Sequence, residues 1–130
     1  MAYRSTDKTV YSAKYHLIWC PKCRRRVLVA AVKTRLAEVI GEVCAEHGAE
    51  VIEVETMPDH VYLQVQVPPV FPMSKLIGVL KGRSSRVLRK EFPHLRRLPS
   101  LWTPSWFLST VGGARLEVVR RYVENQKRVA

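Results

Sequence analysis

The stretch MPDHVYLQVQV, residues 57–67, constrains the fold of this chain more than any other. It opens with a Pro-Asp turn and continues with apolar and polar side chains in strict alternation. The apolar positions are Val61, Leu63, Val65 and Val67, and the polar ones are His60, Tyr62, Gln64 and Gln66. Because an alternation of period two is typical of a strand with one buried and one open face, we predict such a strand here. His60 begins the open face, where its imidazole could hold a metal ion.

Four strands and three helices are predicted along the chain. The strands cover residues 11–20, 49–56, 59–67 and 101–111, and the helices cover residues 31–47, 73–91 and about 115–128. The turn between the second and third strands is too short for a crossover, so these strands form an antiparallel hairpin. The order β-α-β-β-α-β plus a C-terminal helix predicts an α+β fold of the ferredoxin-like or RRM-like type. In that fold, a four-stranded antiparallel sheet carries two helices on one face.

The excess of basic residues is the strongest compositional signal. The net charge is +11 over 130 residues and the pI is about 10.1. Such an excess attracts polyanions, and nucleic acid is the leading candidate, ahead of charge that only aids solubility. With 47% hydrophobic residues, the chain is expected to form one domain over residues 1–130. No apolar run approaches the roughly 18 residues of a membrane helix and no signal peptide is evident, so we expect a cytoplasmic location.

Two basic clusters are predicted to contact nucleic-acid phosphates, one in the loop after the first strand and one along the second helix. Their members are Lys22, Arg24 and Arg25 in the loop, and Lys81, Arg83, Arg86 and Lys90 on the helix. Ordinary solvated charge is the alternative for the loop. Trp102 and Trp106 could stack on bases, but packing in the sheet or a dimer core is the favoured interpretation. For His16 we expect a surface or hydrogen-bonded role.

The last predicted helix carries a possible nucleophile. Tyr122 and Gln126 are four residues apart, so their side chains share one face of the helix. A tyrosine oxygen can attack a phosphodiester when a divalent cation neutralises the phosphate oxygens. A site built from this helix and His60 would supply that chemistry. The residues alone leave the plainer alternative open, in which Tyr122 and Gln126 only pack or face solvent.

Five motifs in one order add to this interpretation. They occupy residues 15–22, 57–61, 80–86, 101–107 with 111–113, and 122–126. Together they span nearly the whole chain. In this order and spacing the chain resembles the single-tyrosine HUH transposases, the smallest insertion-sequence transposases, and their relatives associated with REP palindromes.

The resemblance implies a homodimer that binds single-stranded DNA with hairpins at the element ends. Tyr122 would attack a phosphate, form a 5′-phosphotyrosine and release a 3′-hydroxyl, and the reverse step would rejoin exchanged strands. The resemblance assigns His60 and Gln126 as ligands of Mg²⁺ or Mn²⁺. In this family the tyrosine helix often serves the partner subunit's metal site. Gly112-Gly113 would be the joint that permits this reach.

One position departs from the family pattern. The family has His-hydrophobic-His, whereas the second histidine is replaced here by Tyr62. Three outcomes follow: a site of His60, Gln126, DNA oxygens and water; a site in which Tyr62 binds as phenolate; or a protein that binds DNA hairpins and cuts slowly or not at all. Asp59 is expected to face away from His60 and not to replace the missing ligand. The two predicted functions are therefore a DNA strand transferase and a catalytically weakened hairpin-binding protein.

Overall fold

A four-stranded antiparallel sheet forms the centre of the computed structural model, which describes residues 4–5, 10–11, 13–110 and 115–126. The strands are β1 Arg4–Ser5, β2 Val10–Tyr11, β3 Ala13–Trp19, β4 Glu50–Met57, β5 His60–Val67 and β6 Phe107–Thr110. The helices are α1 Ala30–Glu46, α2 Met73–Glu91 and α3 Arg115–Asn125, with 3₁₀ turns at Lys22–Arg24 and Pro93–Arg97. The main sheet has the order β4-β5-β3-β6, and β1 pairs with β2 in a separate ribbon. The predicted α+β, ferredoxin-like architecture is confirmed.

The core lies between one face of the sheet and helices α1 and α2. Leu17 and Leu63, which pair across β3 and β5, are fully buried against the helices. The apolar faces of α1 and α2, predicted from a period of 3.6 residues, form the helix side of the core and include Leu36 and Leu80. α1 ends at Glu46, and Gly48 lies just beyond it as predicted, with a φ of +73° that suits a residue without a side chain. Because all these apolar side chains face one way, the opposite sheet face remains for other contacts.

The prediction of a strand over residues 101–111 is wrong in its first half. Of the described residues 101–110, Phe107–Thr110 pair with β3, and Trp102 makes an isolated bridge to Pro21. Trp102 is buried: it packs edge-on to Trp19 at 5.9 Å between ring centroids, and its Nε1 donates to Ser84 Oγ at 3.0 Å. This tertiary contact, with Pro104 unable to donate to a ladder, overrides the β propensity of the aromatic residues.

Some predicted features fall at the margins of the described residues. Residues 1–10 were expected to be loose, yet Arg4–Ser5 and Val10–Tyr11 form a two-stranded ladder. The Gly112-Gly113 joint and the end of the predicted last helix, residues 127 and 128, lie outside the described residues. Among the helices described, none is long and apolar enough to cross a membrane.

Candidate active site

The polar face of β5 is not open, contrary to our expectation. Tyr62 is 1% exposed, and on the same face His16 and Gln66 are also buried. The Tyr62 hydroxyl lies 2.5 Å from His16 Nδ1 in a hydrogen bond, and it donates to Gln64 Oε1 at 3.3 Å. The expectation of a hydrogen-bonded His16 is confirmed. The phenol at the position of the missing histidine is therefore part of a buried polar network.

His60 is oriented by its neighbour in the chain. Its Nδ1 donates to Asp59 Oδ1 at 2.9 Å, and the Asp59 side chain is only 9% exposed. The expectation that Asp59 faces away from His60 is therefore wrong. Burial alone would raise the pKa of Asp59, but the hydrogen bond and charge of His60, together with Arg24, outweigh it and lower that pKa. With Nδ1 engaged, Nε2 is the ring nitrogen that can coordinate a metal.

Arg24 joins α3 to residues 58–60, the histidine turn. Its Nε donates to Asp59 Oδ2 at 3.0 Å, and its Nη1 donates to the main-chain oxygen of Val123 at 2.8 Å. The side chain is 17% exposed. Arg24 was predicted to contact DNA phosphates. In this structure, its Nε and Nη1 both donate to protein oxygens.

Tyr122 and Gln126 meet at one serine. The hydroxyl groups of Tyr122 and Ser105 are 3.4 Å apart, and Ser105 Oγ donates to Gln126 Oε1 at 3.4 Å. The Tyr122 ring also packs against Phe107, with 5.8 Å between ring centroids. Tyr122 of α3 and Gln126, the residue directly after α3, thus lie on the same side, as their spacing predicts. Burial raises the pKa of Tyr122, so its hydroxyl is protonated at neutral pH.

Lys81 fixes the loop that carries Ser105. Its ammonium donates to the main-chain oxygens of Thr103 at 2.6 Å and Ser105 at 3.2 Å, and lies 5.5 Å from the centre of the Trp106 ring. Burial lowers the pKa of Lys81. Trp106 is 41% exposed, so it does not pack within the chain's own sheet. Sequence reasoning missed Ser105, because nothing marks a serine in an irregular loop as a neighbour of Tyr122.

The other predicted phosphate-contacting residues differ in their surroundings. Arg83 donates to Glu46 Oε2 at 2.7 Å. Arg86 and Lys90 are exposed and line a groove of about 500 Å³ with Gly82, Ser85, Arg89 and Arg96. In the basic loop, Lys22 is half-buried and Arg25 is exposed. Arg25 lines a second groove of about 380 Å³ with Val27, His94, Leu95, Arg97 and Leu98.

The donors near α3 suit a hard divalent cation only in part. His60 Nε2 and Gln126 Oε1 are a nitrogen and an oxygen donor of the kinds that Mg²⁺ and Mn²⁺ accept. No group of three or more His, Cys, Asp or Glu residues that could hold a metal occurs in the described part of the chain. Oxygens of DNA or water would have to complete the coordination.

Together, the fold and these contacts describe an α+β domain whose tyrosine-bearing helix lies beside a histidine turn. The sequence model of the family described as "Transposase IS200 like" matches residues 9–126. The chain therefore belongs to the IS200-like transposase family, whose members are DNA strand-transfer enzymes.

Individual relatives agree with this assignment. The chain is 37% identical to the ISDra2 transposase TnpA of Deinococcus radiodurans over 120 residues, which cover 90% of this chain and 86% of that protein. It is 26% identical to the transposase for insertion sequence element IS200 of Salmonella typhimurium over 126 residues, 95% of this chain and 82% of the relative.

Two solved structures share the fold. A candidate transposase of Deinococcus radiodurans R1 superposes with a TM-score of 0.91 at 33% identity, covering 97% of this chain and 99% of that one. A REP-associated tyrosine transposase bound to a REP hairpin gives a TM-score of 0.54 at 17% identity, covering 94% of this chain and 70% of that one. At that identity the second likeness supports the architecture alone.

Proposed function

We propose that this transposase cleaves and rejoins single-stranded DNA at hairpin-marked element ends, with Tyr122 as the nucleophile. The observation that carries the proposal is the approach of α3 to the histidine turn. Arg24 contacts both Asp59, which holds His60, and the main chain of Val123, next to Tyr122. One arginine thereby links the turn that carries His60 to the helix that carries Tyr122.

The chemistry assigns each residue one task. The Tyr122 oxygen loses its proton and attacks the phosphorus, the bond to the 3′-oxygen breaks, and that oxygen leaves as a 3′-hydroxyl after taking up a proton. The product is a 5′-phosphotyrosine, which keeps the linkage ready for the reverse reaction with another 3′-hydroxyl. Because burial raises the pKa of Tyr122, ionisation needs help at the site.

His60 and Gln126 are the residues proposed to hold a divalent cation, Mg²⁺ or Mn²⁺. Family membership implies a metal-dependent reaction. When bound, the cation would supply charge neutralisation at the phosphate. Asp59 would keep His60 in the tautomer that presents Nε2, and Ser105 would keep the amide of Gln126 in place. Tyr62 is not among the proposed ligands, because its hydroxyl bonds to His16 and Gln64.

Arg24 links α3 to the turn that carries His60 of the same chain, which supports an active site completed within one subunit. The resemblance to transposases that act as dimers predicts a homodimer, and it also allows the tyrosine helix to serve the partner's site. Both remain predictions for this chain. Arg25, Arg86 and Lys90 are exposed and are the proposed contacts with DNA phosphates, with Lys22 beside them.

A denaturing gel tests the reaction. The protein is incubated with Mn²⁺ and a single-stranded oligonucleotide that carries the hairpin end of its own element. The label lies on the 3′ side of the cleavage site. We expect a covalent protein–DNA band that is absent in Tyr122→Phe and after chelation of the metal. Tyr15→Phe is the matched control, because Tyr15 lies on β3 and packs against the helix core.

The alternative function, hairpin binding without chemistry, predicts a different result. Binding would persist in a native gel while no covalent band formed with wild type under any metal. Formation of the band in both wild type and Tyr122→Phe would also remove Tyr122 from its proposed role.

A further inference from the structure

We infer that Arg24 and Asp59 are positioning residues that couple the docking of α3 to the orientation of His60. The inference rests on the proposed function, in which His60 binds the metal and α3 carries the nucleophile. It adds a device that would make the two halves of the site form together.

The contacts form one uninterrupted chain. His60 Nδ1 donates to Asp59 Oδ1 at 2.9 Å, Arg24 Nε donates to Asp59 Oδ2 at 3.0 Å, and Arg24 Nη1 donates to the Val123 oxygen at 2.8 Å. Both carboxylate oxygens of Asp59 are therefore used, one towards each side. The side chains of Asp59 and Arg24 are 9% and 17% exposed, so water competes little for these bonds.

An arginine suits the position between Asp59 and Val123 better than a lysine does. The guanidinium holds its N–H groups in a rigid plane, so it can donate to two acceptors in different directions at once. A lysine ammonium keeps the charge but is a compact point donor on a flexible stem. Arg24→Lys therefore removes the double contact while leaving the net charge unchanged.

The backbone of the basic loop is shaped to deliver this side chain. Cys23 and Arg24 have φ values of +57° and +53°, a left-handed conformation that residues with a side chain rarely adopt. Main-chain bonds fix the loop on both sides: Lys22 N donates to the Leu101 oxygen at 2.8 Å, and Leu28 N donates to the Pro58 oxygen at 3.0 Å. A strained segment persists where surrounding contacts demand it, and here they aim Arg24 at Asp59 and α3.

The coupling predicts that a substitution of Arg24 or Asp59 changes both the docking of α3 and the orientation of His60. Loss of Arg24 removes its hydrogen bond to α3. It also removes one of the hydrogen-bond partners of Asp59, so His60 is less firmly held. Loss of the Asp59 carboxylate acts on His60 directly and on α3 through Arg24. Because the two residues act in one chain, their effects are not additive.

Hydrogen–deuterium exchange without DNA or metal tests the docking of α3. We expect Arg24→Lys and Asp59→Asn each to speed exchange of the amides of residues 115–125, by about tenfold if each loses roughly one charge-assisted hydrogen bond. Arg25→Lys is the matched control, the same change at the next, exposed position, and should leave α3 unchanged. Exchange in the core of α1, residues 32–44, is the internal standard and should stay at the wild-type rate.

Nitrogen-15 spectra of the His60 ring test the other end. In wild type we expect the proton on Nδ1, and in Arg24→Lys a mixture of tautomers, although Arg24 does not touch the ring. Titration with Mn²⁺ should show affinity falling by about 10-fold in both variants, the lower end for loss of a ligand's supporting partner. In the double variant the loss should be well short of the product of the two single losses.

The coupling would be overturned by unchanged α3 exchange in Arg24→Lys, by an equal change in Arg25→Lys, or by equally faster exchange in α1. An unaltered His60 tautomer in Arg24→Lys would do so too. If wild type binds no Mn²⁺, the proposed metal centre fails, while the exchange and ring spectra still decide the coupling.

Discussion

Tyr62 occupies the position predicted for a second metal-binding histidine and lies instead in a buried hydrogen-bond network. A histidine here would complete the family's metal-binding pair, but the phenol is 1% exposed and bonds to His16 and Gln64. A protonated phenol offers Mg²⁺ only a neutral oxygen, so it is a poor ligand for that ion. Its polar partners give it a structural role that alternation of side chains alone does not reveal.

This role predicts the behaviour of Tyr62→Phe. Removing the hydroxyl takes a partner from buried His16 and from half-buried Gln64, so the free energy of unfolding should fall by about 1–3 kcal/mol. Affinity for Mn²⁺ should stay within about twofold of wild type, because no ligand is lost. Urea denaturation and calorimetric titration measure the two quantities.

Tyr62→His is the informative comparison, since it restores an imidazole at the family position. We expect it to bind Mn²⁺ more tightly than wild type, by about tenfold, provided that the ring turns towards His60. A tenfold or larger loss of affinity in Tyr62→Phe would instead identify the phenolate as a ligand and contradict the structural role.

Single residues were predicted from the sequence as far as local pattern determines them. The side of β5 on which His60 lies follows from a period of two, and the shared face of Tyr122 and Gln126 follows from their spacing. The direction of Asp59 does not, because it is set by Arg24, which is 35 positions away in the chain. A contact over that distance leaves no periodic signal.

Secondary-structure elements were likewise predicted correctly only where local pattern determines them. The helix α2 begins and ends where it was predicted, Met73 to Glu91, because its apolar stripe and the flanking prolines act locally. The segment 101–106 was assigned to a strand on propensity, but its shape depends on Trp102 entering the core beside Ser84. The loop that was wrongly predicted as a strand places Ser105 beside Tyr122, so the wrong prediction concerns the candidate active site.

The loop at 103–105 should depend on α2 through Lys81. Replacing Lys81 by Met leaves the oxygens of Thr103 and Ser105 without their ammonium donor, so amide exchange in the peptide 101–107 should quicken. Ser105 would then hold Tyr122 and Gln126 less well, and the rate of covalent adduct formation should fall by about 10- to 100-fold.

Lys75→Met is the control for that experiment, because it removes the same charge from an exposed position of the same helix. Adduct formation in Lys75→Met should remain near the wild-type rate. If Lys81→Met slows the reaction with no change in exchange of residues 101–107, then Lys81 acts on the DNA and not through the loop.

At the scale of the whole molecule, the charge of +11 predicted a polyanionic partner, and membership of a DNA transposase family agrees with it. The sequence did not reveal which cations remain available to DNA. Arg24, Lys81 and Arg83 all donate to oxygens of the protein, whereas Arg86 and Lys90 are exposed along one groove. The net charge therefore follows from composition, but the fold determines which basic side chains are exposed and available to DNA.

Salt dependence of hairpin binding distinguishes these two sets of cations. On a duplex stem, each neutralised phosphate contributes about 0.9 to the slope of log K against log salt concentration. We expect Arg86→Gln and Lys90→Gln each to reduce the slope by about that amount in fluorescence anisotropy titrations. Lys75→Gln should leave the slope unchanged, because Lys75 lies about 16 Å along α2 from Arg86, beyond the Debye length of about 8 Å at physiological salt. An equal reduction in all three variants would mean that the hairpin responds to net charge and not to the groove.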